Sequence, residues 1–213
     1  MFRTALLSAM LAVAGYAAAA WLTHDFQVWT AEGARRLEVA LQPVPAPAVV
    51  VDGPGIAPQT LSRHLADGQS ITLVDFVYTR CQSVCLAMGS SFQQMQAVLQ
   101  ERGGKVKLLS ISFDGSHDTP EVLQAYASKL SADPARWRFV RVQEPQGTQQ
   151  LLRDFQVVLV PDGRGDFEHN AAFLVIDQKG RLVRIFDYAE QQLALDYAQH
   201  LSGAAASLPA TSP

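Results

Sequence analysis

The sequence predicts an α/β sandwich, a central mixed β-sheet flanked by helices, preceded by an N-terminal membrane segment. Three observations carry this. Strand-like and helix-like patterns alternate from residue 71 onward, the series closes with two consecutive strand-like runs, and residues 4–22 carry no charge. Strands separated by helices pair in parallel, because a crossover of that length is what a parallel pair requires. A short turn between the last two strands makes that pair antiparallel.

The first element is the run Thr4 to Leu22 (TALLSAMLAVAGYAAAAWL), preceded only by Arg3. At 1.5 Å rise per residue it is long enough to cross a hydrocarbon core of about 30 Å. Ala17 to Ala20 also offer the small residues that signal peptidase accepts. The segment therefore reads as a transmembrane anchor or a cleaved signal. In both cases Arg3 stays inside and the rest of the chain crosses to a bacterial periplasm or an equivalent space.

Residues 23–54 read as a juxtamembrane spacer. A helix-like charged stretch around Glu32 to Glu38 is followed by Pro43-Val44-Pro45-Ala46-Pro47, whose alternating prolines favour extended geometry. Residues 55–201 form the predicted domain. Ile71 to Tyr78 is apolar and β-branched, as a buried strand should be. Phe92, Met95, Val98 and Leu99 recur at helical spacing, and Gly103-Gly104 stop that helix. Lys105 to Phe113 is a second strand. Asp118-Thr119-Pro120-Glu121 starts a helix with a capping side chain, a proline in the first turn and an acid near the positive end of the dipole. Phe139 to Val142 is a short strand and Gln149 to Phe155 a short helix. Ala171 to Ile176 and Leu182 to Phe186 flank the turn Asp177-Gln178-Lys179-Gly180, and a last helix covers about Glu190 to Leu201. The order is that of a thioredoxin-like fold. Residues 202–213 are expected to be a disordered tail.

Composition narrows the function. The chain has 213 residues, 48% of them hydrophobic, and a formal charge of −3, which suits one globular domain with attachments. That charge gives no electrostatic reason to bind nucleic acid. Two cysteines cannot make a disulfide scaffold, and a domain of this size needs none.

The two cysteines lie close together, as Cys81 and Cys85 in TRCQSVC, between the apolar strand and the amphipathic helix. On a regular helix, positions i and i+4 hold their Cβ atoms about 5–6 Å apart, whereas a disulfide wants about 3.5–4.5 Å. A disulfide thus requires Cys81 to sit off the helix. A metal asks less of the geometry, since two thiolates can share one ion. A helix start also stabilises thiolate. Metal binding, redox exchange, a structural disulfide and two inert thiols all stay open on these residues alone. Of the five histidines, His169 stands in a polar loop immediately before the strand Ala171 to Ile176. In a thioredoxin-like sheet that strand lies beside the one preceding the cysteines.

These features together resemble the Sco/SenC family of copper chaperones and thiol-disulfide proteins. The resemblance rests on the run Val74 to Cys81 with Cys85, on Ser110 to Asp114 with Asp118-Thr119-Pro120-Glu121, and on His169 ahead of Phe173 to Asp177 and Gly180. It implies a thioredoxin-like fold, a membrane tether, and copper, Cu(I) or Cu(II), held by the positions Cys81, Cys85 and His169. It further implies delivery of copper to, or thiol reduction at, the copper site of cytochrome c oxidase. Where the family usually has proline after each cysteine and an acid between them, this chain has Gln82, Ser83 and Leu86. The alternative function is a periplasmic thiol-disulfide reductase, an enzyme acting through the Cys81 and Cys85 pair. Soft thiolates with one imidazole suit Cu(I), which makes a metallochaperone the preferred reading. Asp118 reads as a helix cap, Asp114 as a turn former, and Met88, Trp137 and Phe139 as core.

Overall fold

The computed structural model describes residues 2–23, 26, 28–81, 84–161, 167–169 and 171–207, without the side chains of 84–87, 159–161, 167–169 and 204–207. Helix α1 (Phe2–Leu22) has no buried residue, and its length and hydropathy suffice to cross a membrane. Helix α2 (Ala31–Leu41) is started by the Thr30 side chain, which accepts from the backbone N–H of Gly33.

A short strand β1 (Val44–Pro45), a hairpin of β2 (Val50–Gly53) and β3 (Ile56–Thr60), and helix α3 (Leu61–Leu65) come next. The alternating part follows as β4 (Ile71–Val77), α4 (Val84–Arg102), β5 (Val106–Ser112), α5 (Pro120–Lys129), β6 (Trp137–Val142) and α6 (Pro145–Asp154). Two short strands, β7 (Leu159–Pro161) and β8 (Phe167–His169), pair with each other. Then come β9 (Ala172–Ile176), β10 (Arg181–Asp187), a 3-10 turn at Tyr188–Glu190, and α7 (Gln191–Ser207).

Among the described residues the main sheet has the order β1-β10-β9-β4-β5-β6-β2-β3. Strands β4, β5 and β6 run parallel, with Ile71 opposite Val106 and Leu108 opposite Trp137. Strand β9 runs antiparallel to β4, with Val74 opposite Leu174. The mixed sheet expected from the sequence is therefore present, with the parallel strands at its centre. Every residue of β4 is buried, because helices cover both faces.

Alternation along the strands divides the core in two. Leu73, Leu108, Trp137 and Phe173 point toward α4, α5 and α7, where they meet Met88, Phe92, Leu123 and Leu195. Val74, Phe76, Leu109, Val140 and Leu174 point the other way, toward Leu61 of α3 and Leu151 of α6. On the α4 side Phe92 stacks on Phe173 at 5.5 Å between ring centres and meets Trp137 edge-on at 5.6 Å. The core assignments of Met88, Trp137 and Phe139 hold, each being at most 3% exposed.

Within the expected spacer 23–54, residues 31–53 pack onto the domain rather than stand apart from it. Val39 of α2 is fully buried, and Arg35 donates through Nη1 to the carbonyls of Phe155 and Gln156 at 3.3 and 3.1 Å. Arg36 pairs with Asp187 and Glu190 at the end of β10. The proline-rich segment pairs with β10 through β1 and then enters the sheet as β2 beside β6. Proline has no N–H to donate and is tolerated at a sheet edge, where one side of the strand needs none, which is why this composition can serve the edge strand β1. At the other end α7 runs on through residues expected to be tail, to Ser207, while 208–213 lie outside the described residues.

Candidate metal and thiol site

The cysteines lie where the parallel strand β4 hands over to helix α4. At the end of β4, Tyr78 is 2% exposed and its ring packs at 5.2 Å from that of Phe113, at the end of β5. The backbone then turns, with the Cys81 N–H donating to the Tyr78 carbonyl at 3.1 Å. Cys81 thus sits off the helix, as a pair at this spacing requires if its sulfurs are to approach. Its side chain is 3% exposed and belongs to the apolar cluster of Phe76, Tyr78 and Phe113.

A buried carboxyl group pins this turn. Asp118, itself fully buried, accepts from the Thr79 N–H at 3.0 Å, from the Thr79 hydroxyl at 2.5 Å and from the Ser112 hydroxyl at 2.5 Å. The N-cap of α5 is instead Thr119, whose side chain accepts from the Val122 N–H. The expectation that Asp118 caps the helix is corrected accordingly. Its neighbour has the free geometry of a cap, while Asp118 points back across the sheet end to the cysteine turn. Asp114 forms its turn as expected, its carbonyl accepting from His117 and Asp118. It also binds Arg80 at 2.6 Å, immediately before Cys81. Arg80 is half exposed, so that ion pair positions more than it stabilises.

A second buried acid lies on the same strand. Asp75 is completely inaccessible, and neither of its carboxyl oxygens has a hydrogen-bond partner among the described residues. Burial pushes its pKa up to about 7. Ser110 lies directly opposite on β5 and accepts from the Trp137 Nε1 at 2.9 Å. An acid in the middle of an otherwise apolar strand, ITLVDFVY, was the available signal for this group.

The other two sequence-predicted ligands are placed by backbone alone. Cys85 is the second residue of α4 and His169 the last of β8, opposite Leu159. The side chains of both lie outside the described residues. Strand β9 is antiparallel to β4, so it begins at the end where β4 stops, and His169 precedes it by three residues.

Comparison with known proteins gives one consistent result. The SCO1/SenC family model matches residues 59–202. A SCO1 protein homolog from Bacillus subtilis is 23% identical over 122 residues, which span 56% of this chain and 63% of that protein. The copper-bound structure of ScoI from Bradyrhizobium japonicum superposes with a TM-score of 0.61 at 23% identity, covering 74% of this chain and 99% of that one. BsSco, in which a disulfide switch was identified and which belongs to the Sco family of cytochrome c oxidase assembly proteins, superposes with a TM-score of 0.66 at 17% identity, over 78% and 96% of the two chains.

Proposed function

Because the chain belongs to the SCO1/SenC family, we propose that it is a membrane-tethered copper-binding chaperone that carries copper as cargo for the copper site of cytochrome c oxidase. The observation that carries this reading is the placement of Cys81, held off α4 in a turn pinned by Asp118, with Cys85 following on the helix. Cys81, Cys85 and His169 would hold the ion. Two thiolates and an imidazole form a soft set suited to Cu(I), and a site on connecting segments leaves a side open for transfer to a partner. Helix α1 would be the tether, with Arg3 inside and the domain facing the periplasm.

The same pair supports a second reading, thiol-disulfide exchange, favoured by the disulfide switch identified in BsSco. In that reaction the two thiols of Cys81 and Cys85 lose two electrons and two protons to a partner disulfide, which is reduced to two thiols.

Copper stoichiometry and X-ray absorption on the full chain, reduced and loaded with Cu(I), test the first reading. The expected result is one copper per chain bound by two sulfurs and one nitrogen, with the nitrogen lost in His169→Ala. Failure to retain copper against a modest chelator overturns it. The reduction potential of the cysteine pair and turnover on a protein disulfide then decide the second reading.

A further inference from the structure

A basic pocket lies at the opposite end of the sheet from the cysteines, where β4, β5 and β6 begin. It is a concave space of about 210 Å³ between the end of α3 and the sheet, lined among others by His64, Asp67, Thr72, Lys107, Arg136 and Arg138. Seven residues of β4 separate the two ends, on the order of 20 Å of strand.

The register explains why the cations converge. Thr72 pairs with Lys107 across β4 and β5, and Leu109 with Arg138 across β5 and β6. Leu108 pairs with Trp137, so Lys107 and Arg136 are lateral neighbours on the face that also carries Arg138. Like charges so placed on adjacent strands destabilise the sheet. One acid answers them, Asp67, whose Oδ2 meets the Lys107 Nζ at 2.9 Å. Arg136 donates to the Gly104 carbonyl at 2.7 Å and Arg138 to the Pro134 carbonyl at 3.1 Å. Among the described residues neither guanidinium meets a carboxylate. Three permanent cations thus face one anion in a chain whose overall charge is −3.

We propose that this pocket is an anion-binding site for a phosphate group, received by Arg136, Arg138 and Lys107 with His64 at its wall. Arginine forks match the oxygens of a tetrahedral oxyanion and form strong, charge-assisted hydrogen bonds to it. The volume lies below the 300 Å³ or so at which drug-sized ligand pockets start, which selects a small ligand. His64 supplies an internal reporter. Its Nδ1 lies 3.2 Å from the Gln59 amide, and burial, then the charges of Arg138 and Lys107, lower its pKa against the opposing charge of Asp67. A bound anion offsets the net positive charge of the pocket and moves the His64 titration upward. The site is independent of the copper reading, since it shares no residue with the cysteine turn.

The test is a titration of the full chain in detergent micelles with inorganic phosphate, followed by calorimetry and by the His64 imidazole proton in NMR. Sodium chloride at matched ionic strength is the control. Saturable heat, an upward shift of the His64 midpoint, and binding at least about tenfold weaker in Arg138→Gln support the proposal. Lys107→Gln is the second variant should Arg138→Gln not fold, with the same expectation. An equal response to chloride, a non-saturable response, or unchanged affinity in the folded variants overturns it. Glycerol 3-phosphate binding more tightly than inorganic phosphate identifies a phosphate monoester, and the reverse order identifies the free ion.

Discussion

Single residues set the pH behaviour of this protein, Asp75 above all. A carboxyl group whose folded pKa is raised from 3.8 to about 7 binds its proton more tightly folded than unfolded. Below the unfolded value both states are protonated and its burial carries no ionisation cost. As pH rises from about 4 to about 7, the unfolded state ionises first, and stability falls until the folded group ionises as well. The full difference amounts to about 4 kcal/mol, constant above that window. Urea unfolding of the wild type should therefore show stability dropping by up to about that amount between pH 4 and pH 8. Asp75→Asn, which cannot ionise, should lose most of this slope and be the more stable protein at pH 8. Equal slopes in the two proteins would show that Asp75 ionises in place without cost. The apolar neighbours of Asp75 were plain in the sequence, but its lack of partners was not, because Ser110 and Trp137 come from other strands.

Between elements, a buried polar group holds the connection that carries Cys81. Asp118 ties the β4–α4 turn to the β5–α5 turn across 39 residues of sequence. In Asp118→Ala the Thr79 N–H and the hydroxyls of Thr79 and Ser112 lose their acceptor in a buried setting, at about 1–3 kcal/mol for each group left unsatisfied. Thermal unfolding should register a loss of about 3 kcal/mol or more, and alkylation of the Cys81 thiol should accelerate as its turn loosens. Unchanged alkylation in a destabilised variant would separate the stability role of Asp118 from any hold on the cysteine turn. The longer strands and helices from residue 71 onward were legible because their periodicity is local, and most of their observed bounds fall close to the expected ones, α6 starting earlier and α7 ending later than expected. The β2–β3 hairpin, the β7–β8 pair and helix α3 were not, because three to five residues are too few to show a period.

At the scale of the molecule, the sheet separates two cores that share no side chain. Phe92 anchors one through Phe173 and Trp137, and Leu151 of α6 lies in the other. Phe92→Ala should cost about 3–5 kcal/mol and Leu151→Ala about 2–5. Their costs should add within about 0.5 kcal/mol, as expected for sites without shared partners. A larger coupling in denaturant unfolding would mean that the sheet transmits strain between its faces. The sequence by itself determined the order of the central elements, the apolar helix α1 and the position of the two cysteines between a strand and a helix, because periodicity, charge and spacing are properties of neighbouring residues. Only the tertiary structure decided that residues 31–53 belong with the domain, that Asp118 serves the cysteine turn rather than its own helix, and that Lys107, Arg136 and Arg138 share a pocket with His64. Each of those depends on strand order and register, and these are set by contacts between residues far apart in the chain.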